Sequence, residues 1–140
     1  MRRIELDIVA LSHSMTQSHN YAVVLGEKRG QRRLPIVIGS FEAQAIAVAM
    51  ERMVPNRPLT HDLMQMVFQG FEISIKQVVI NDLNDTVYFA RIFFEQQHGE
   101  IREIVEIDSR PSDCIVLAIM SNVPLYCTRE VLDKTIAIEE

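Results

Sequence analysis

Strand-type alternation appears in two separate blocks of this chain, and each block gives way to helical spacing. In the first block, Ile4, Leu6, Ile8 and Ala10 alternate with Glu5, Asp7 and Val9. This predicts a strand over 4–11 with one buried face. Residues 12–20 are polar and without periodicity, as in a turn or loop. Two further strands are expected over 21–25 and 34–38, joined by a Gly- and charge-rich connection, so that three strands form an antiparallel meander. Gly39-Ser40 offers a helix start, with Ala43, Ile46, Ala47 and Met50 following at helical spacing. Val54-Pro55-Asn56-Arg57-Pro58 must break that helix, because proline lacks an amide donor and clashes with the preceding turn. Thr60 is expected to cap a second helix, which carries Leu63, Met66 and Val67 and closes near Gly70.

The second block repeats the plan. Ile73, Ile75, Val78 and Ile80 mark a strand over 72–82, and their broken alternation predicts a bulge near Lys76-Gln77. A turn at Asn84-Asp85 leads to strands over 86–95 and 100–107, joined near His98-Gly99. A helix follows from Pro111 to Met120, signalled by proline in its first turn with Ser112 and Asp113. After Asn122-Val123-Pro124 come a short strand over 125–127 and a last helix capped by Thr128. The expected class is α+β: two groups of antiparallel strands, each followed by helices, in a single compact domain spanning residues 1–140. With 48% hydrophobic residues in 140, a core needs neither disulfide nor metal.

Several function classes drop out. No apolar run approaches the roughly 20 residues that span a bilayer, and Met1-Arg2-Arg3-Ile4 leads into a strand pattern instead of a signal-peptide core. No membrane association and a cytoplasmic location are therefore expected. Cys114 and Cys127 sit among apolar residues without Cys-x-x-Cys spacing, as buried reduced thiols do. The net charge of −5 weighs against tight nonspecific binding to nucleic acid. A local basic cluster exists nonetheless: Lys28, Arg29, Arg32 and Arg33 surround Gly30. It suits either phosphate contact or a solvated hairpin tip.

Three stretches stand out in order and spacing. The first is Leu34-Pro35-Ile36-Val37-Ile38-Gly39 with Glu42-Ala43 and Ile46-Ala47. The second is Arg57-Pro58-Leu59-Thr60-His61-Asp62-Leu63. The third is Ile107-Asp108-Ser109-Arg110-Pro111-Ser112-Asp113, followed by Ala118 and then Val123-Pro124-Leu125-Tyr126. Together they resemble the bifunctional nuclease domain family over nearly the whole chain, from about Ile4 to Leu132. The resemblance implies a nuclease acting on both DNA and RNA. Many relatives of bacterial type carry a C-terminal helical hairpin like one in excision-repair proteins; it is expected to be absent here, where the sequence stops at Glu139-Glu140. Ser109 and Cys114 stand where alanine is common in the family, and the charged positions are intact.

The motif residues contain the chemistry a phosphodiesterase needs. Glu42, Asp62, Asp108 and Asp113 are carboxylates able to hold a divalent cation such as magnesium, which activates water and stabilises growing negative charge. His61 is a candidate general base or acid. Arg57 and Arg110 can hold a phosphate through paired hydrogen bonds, with Thr60 beside them. Each residue also has a plain structural role. Thr60, Asp62, Asp113 and Glu42 suit the first turns of helices, and Arg57 and Arg110 suit ion pairs with these acids. The loop histidines His13 and His19, near Ser12, Ser14 and Ser18, and the turn residue His98 read as solvated. Met50, Met53, Met64, Met66 and Met120 read as core or interface. The functional expectation is a nuclease that hydrolyses DNA and RNA, binds nucleic acid weakly and forms a homo-oligomer. The alternatives are a non-catalytic phosphate- or nucleotide-binding module, and an oligomeric scaffold whose polar motifs are caps and salt bridges. The discriminating observation is whether Glu42, His61, Asp62, Asp108 and Asp113 converge in one cleft.

Overall fold

A computed structural model describes residues 2–13 and 20–139. Seven strands form one mixed sheet, in spatial order β3-β2-β1-β7-β4-β5-β6. The elements run β1 (Arg3–His13), β2 (Asn20–Glu27), β3 (Arg33–Gly39), α1 (Ser40–Met50), α2 (Thr60–Gly70), β4 (Ile73–Asn84), β5 (Val87–His98), β6 (Ile101–Ser109), α3 (Pro111–Ser121), β7 (Leu125–Thr128) and α4 (Arg129–Glu139). The fold is α+β, and the two antiparallel groups are the expected ones. β1, β2 and β3 form one meander; β4, β5 and β6 form the other. The four-residue β7 lies between them, antiparallel to β1 and parallel to β4. Ser14, Ser18 and His19 lie outside the described residues.

One face of the sheet carries most of its buried apolar positions, and helices pack against it. Leu6, Val23, Leu25, Leu34, Ile36, Val78, Ile80 and Ile92 are all buried there. α3 is the central helix: Cys114, Ile115, Val116, Leu117 and Ala118 are successive buried residues. A helix apolar on every side must lie inside the fold. It starts at Pro111, where a missing N–H costs nothing because no intrahelical acceptor exists there. It ends at Asn122, whose left-handed conformation (φ 55°) closes the C-terminus. The bulge near Lys76-Gln77 is present, as a register shift between Ile75 and Gln77, and a second lies between Ile80 and Asp82. Thr128 caps α4 as expected, its hydroxyl accepting the Val131 N–H at 3.3 Å.

One cap expectation is corrected. The N-cap of α2 is Leu59, and Thr60 is the first helical residue, with no side-chain cap bond. Asp62 does the capping instead: its carboxylate reaches back to accept the Leu59 N–H at 2.8 Å.

Candidate functional site

Three helices carry the same local pattern at their starts. The N-cap residues Gly39, Leu59 and Arg110 make no side-chain cap bond. Each helix has an acid at its third position: Glu42, Asp62 and Asp113. A carboxylate there can bond exposed first-turn N–H groups and complements the positive end of the helix dipole. Asp62 does so at Leu59. Glu42 folds over Gly39, its Oε2 2.6 Å from where a Cβ at residue 39 would stand. Asp113 departs from the pattern and turns across to the neighbouring helix. Its Oδ1 lies 2.9 Å from His61 Nε2.

These starts meet at one concavity of about 700 Å³. Glu42, Thr60, His61, Asp62, Ser112 and Asp113 all line it, so segments from α1, α2 and α3 converge. An ionised carboxylate only accepts hydrogen bonds, so the proton of the His61–Asp113 bond sits on Nε2. In the neutral ring the other nitrogen, Nδ1, keeps its lone pair. The His61 side chain is 16% exposed and that of Asp113 41%, so the histidine is the more shielded partner of a pair that lines the cleft.

The remaining candidates separate. Arg110 lies behind the cleft, its guanidinium 3.9 Å from Glu42, in an adjoining concavity that Glu42 and Ser112 share. Asp108 is an exposed residue of β6, in register with Arg91, and lines neither concavity. Arg57 lies on the exposed connection between α1 and α2, also outside both. Sequence reasoning missed Arg52 and Phe41, which line the cleft. Arg52 takes φ 52° in the turn after α1, a left-handed conformation that no motif announces. Phe41 had a signal: a large aromatic ring beside Glu42 that helical spacing does not bury. It is 82% exposed.

His98 lies 3.6 Å from Glu103, and the His13 ring stands edge-on to Tyr21 at 4.8 Å. Met64 and Met120 pack against the core, whereas Met50, Met53 and Met66 are exposed. Cys114 and Cys127 are buried and unpaired; burial raises their thiols to about 12 and about 11. Among the described residues, no three His, Cys, Asp or Glu side chains stand together as a metal centre. The donors are divided: Asp62 serves a helix cap, Glu42 faces Arg110 and Asp113 holds His61. The carboxylate set therefore does not fit a divalent cation as a ready-made site. No helix is long and apolar enough to cross a membrane, among the described residues.

A family model for the bifunctional nuclease domain matches residues 23–140. The chain belongs to this family. It is 36% identical over 110 residues to an uncharacterized protein of Mycobacterium tuberculosis, covering 79% of this chain and 63% of that protein. It is 25% identical over 96 residues to Bifunctional nuclease 1 of Arabidopsis thaliana, covering 69% of this chain and 29% of the relative. Against Bifunctional nuclease 1 of Oryza sativa subsp. japonica, identity is 21% over 113 residues, covering 81% of this chain and 34% of the relative. The chain thus spans less than two thirds of the mycobacterial protein and about a third of the plant ones. All three convergent helix starts of this bifunctional nuclease domain lie within the matched region.

Proposed function

We propose that the cleft at the starts of α1, α2 and α3 hydrolyses phosphodiester bonds in DNA and RNA. The observation that carries this is the His61–Asp113 pair, made between two helices at the floor of a shared cleft. Asp113 fixes the ring and holds the Nε2 proton. Nδ1 takes a proton from water as that water attacks phosphorus. The phosphorus–oxygen bond to the leaving sugar breaks, the leaving oxygen takes a proton from cleft water, and the hydroxide left behind takes the proton back from Nδ1. Negative charge grows on the non-bridging oxygens, where first-turn N–H groups and Arg52 offer donors. The Phe41 ring gives a neighbouring base a stacking surface. Glu42 and Asp62 shape the helix starts, with Arg110 held against Glu42, and Thr60 and Ser112 provide hydroxyls to substrate. Asp108 and Arg57 stand outside the proposed chemistry.

The test is cleavage of end-labelled single-stranded DNA and RNA by purified protein, with and without a chelator, against His61→Ala. Activity in the parent and its loss in the variant are expected. Equal cleavage by both proteins assigns the activity to a contaminant and removes the proposal.

A second reading has its own support. None of the three first-turn carboxylates is held in a metal centre among the described residues, and Asp62 is engaged at its own helix start, as it would be in a phosphate-binding module without turnover. It predicts thermal stabilisation by nucleotides with no cleavage; stabilisation by none of them counts against it. Self-association and a reducing, cytoplasmic setting belong with either reading. Leu63, Met66 and Val67 leave an apolar face on α2, and the two thiols are unpaired. A sedimentation profile showing only monomer would remove the first of these.

A further inference from the structure

A second concavity, of about 560 Å³, opens beside the connection between β2 and β3. Six cations line it, Arg2, Arg3, Lys28, Arg29, Arg32 and Arg129, against the two carboxylates Glu5 and Glu27. The chain as a whole carries −5, so this is a concentration of positive charge on an acidic protein. The fold gathers it from three places. Pairing of β1 with β7 sets Arg3 opposite Thr128, and the Arg129 N–H then donates to the Arg2 carbonyl at 3.2 Å. On the other side, the Lys28 N–H donates to the Glu5 carbonyl at 2.9 Å.

Neighbouring acids neutralise only part of this cluster. Lys28 pairs with Glu5, Arg32 pairs with Glu27 and Asp133, and Arg3 lies over the Phe93 ring. Among the described residues, Arg2, Arg29 and Arg129 enter no ion pair. Arg2, Arg29 and Arg129 are exposed, so their charges are available to an anionic ligand. A smaller concavity of about 430 Å³, lined also by Asp7, adjoins both the basic one and the His61 cleft. It shares Glu5 and Lys28 with the basic concavity and Arg52 with the cleft.

We propose that this surface is a path for the sugar-phosphate backbone of a single nucleic-acid strand, running from the Arg2–Arg29–Arg129 cluster past Lys28 and Arg52 into the His61 cleft. The destination of the path rests on the nuclease reading; the binding does not. A single strand suits a series of three concavities with shared lining residues, and Tyr126 and Phe41 offer rings at its two ends. A flat lipid surface could reach the rim cations but could not follow the path inward.

The test is fluorescence anisotropy with labelled oligothymidylate and oligouridylate 20-mers over a salt series. Arg29→Glu/Arg129→Glu is compared with Arg91→Glu/Arg102→Glu, which makes the same charge change on β5 and β6. The patch variant is expected to weaken binding at least ten-fold at low salt, with the salt slope falling by about 0.7 per lost phosphate contact. The neutral triple variant Arg2→Gln/Arg29→Gln/Arg129→Gln should behave likewise and covers any folding failure of the first. Equal weakening by the control pair would show a net-charge effect and overturn the path. So would undiminished binding by both patch variants, or no oligonucleotide binding by the parent, whether or not it binds phosphatidylserine vesicles. Loss of binding in the patch variants with no cleavage by the parent leaves the path standing and removes the nuclease reading. Intact binding in them with cleavage by the parent does the reverse.

Discussion

The His61–Asp113 pair allows a double-mutant test in which catalysis and folding give different magnitudes. His61→Ala, Asp113→Asn and the double variant form the cycle. As a stability element the pair is modest: Asp113 is 41% exposed, so solvent screening limits it to about 0.5–1 kcal/mol. In a chain of this length that lowers Tm by a few degrees at most, on the order of 2–4 °C per kcal/mol. As a catalytic unit it is worth far more. A positioned general base contributes about 10²–10⁴ in rate, equivalent to roughly 2.7–5.4 kcal/mol of barrier. Each single variant should lose about 10²-fold or more in kcat/KM on a labelled oligonucleotide, while scanning calorimetry shows a small Tm change. Because the two side chains act through one hydrogen bond, the double variant should be no slower than the slower single one. Losses that multiply, or a His61→Ala enzyme within three-fold of the parent, would refute the assignment. A large Tm drop paralleling the rate loss would instead make the pair a structural tie.

Three further outcomes are expected. Asp62→Ala removes the acceptor for the Leu59 N–H and should cost about 0.5–2 kcal/mol by thermal or urea unfolding. Leu117→Ala empties a fully buried site in α3 and should cost about 2–5 kcal/mol by urea titration; a loss under 1 kcal/mol would mean that the helix is not central. Cys114 and Cys127 should resist iodoacetamide in the native protein at pH 8 and react fully in denaturant. Their folded values, raised by burial to about 12 and about 11, exceed those of the unfolded chain. The unfolded state therefore loses those protons first, and stability should fall as pH rises from about 9 toward 12. Alkaline stability that is unchanged by Cys→Ala at both positions would contradict this.

The elements were legible because their signals are local. Alternation at Ile4, Leu6 and Ile8 and proline at 111 depend on nearest neighbours, and even the Lys76 bulge showed as a broken period. The way the two strand groups join was not legible. β7 has four residues, and nothing in Leu125–Thr128 says that it lies parallel to β4 and antiparallel to β1. The site was half legible for the same reason. Helix-start patterns brought out Glu42, His61, Asp62 and Asp113, which do meet in the cleft. Motif adjacency also drew in Asp108 and Arg57, but Asp108 faces the other way on its strand and Arg57 lies out on a connection. The cap at Leu59 was missed because propensity favours a hydroxyl there, and a carboxylate three residues on can do the work alone.

The position of β7 also sets an order on folding. Its pairs join Ile4 to Cys127 and Val78 to Leu125, so the sheet is completed by contacts between distant parts of the chain. Loop closure over such spans is slow compared with forming either meander. During synthesis the first meander is made long before residues 125–128, and until they emerge its β1 strand has an open edge. That interval is when neighbouring nascent chains can pair at the edge and aggregate. A substitution that weakens β7 should therefore reduce the yield of folded protein more than its equilibrium stability.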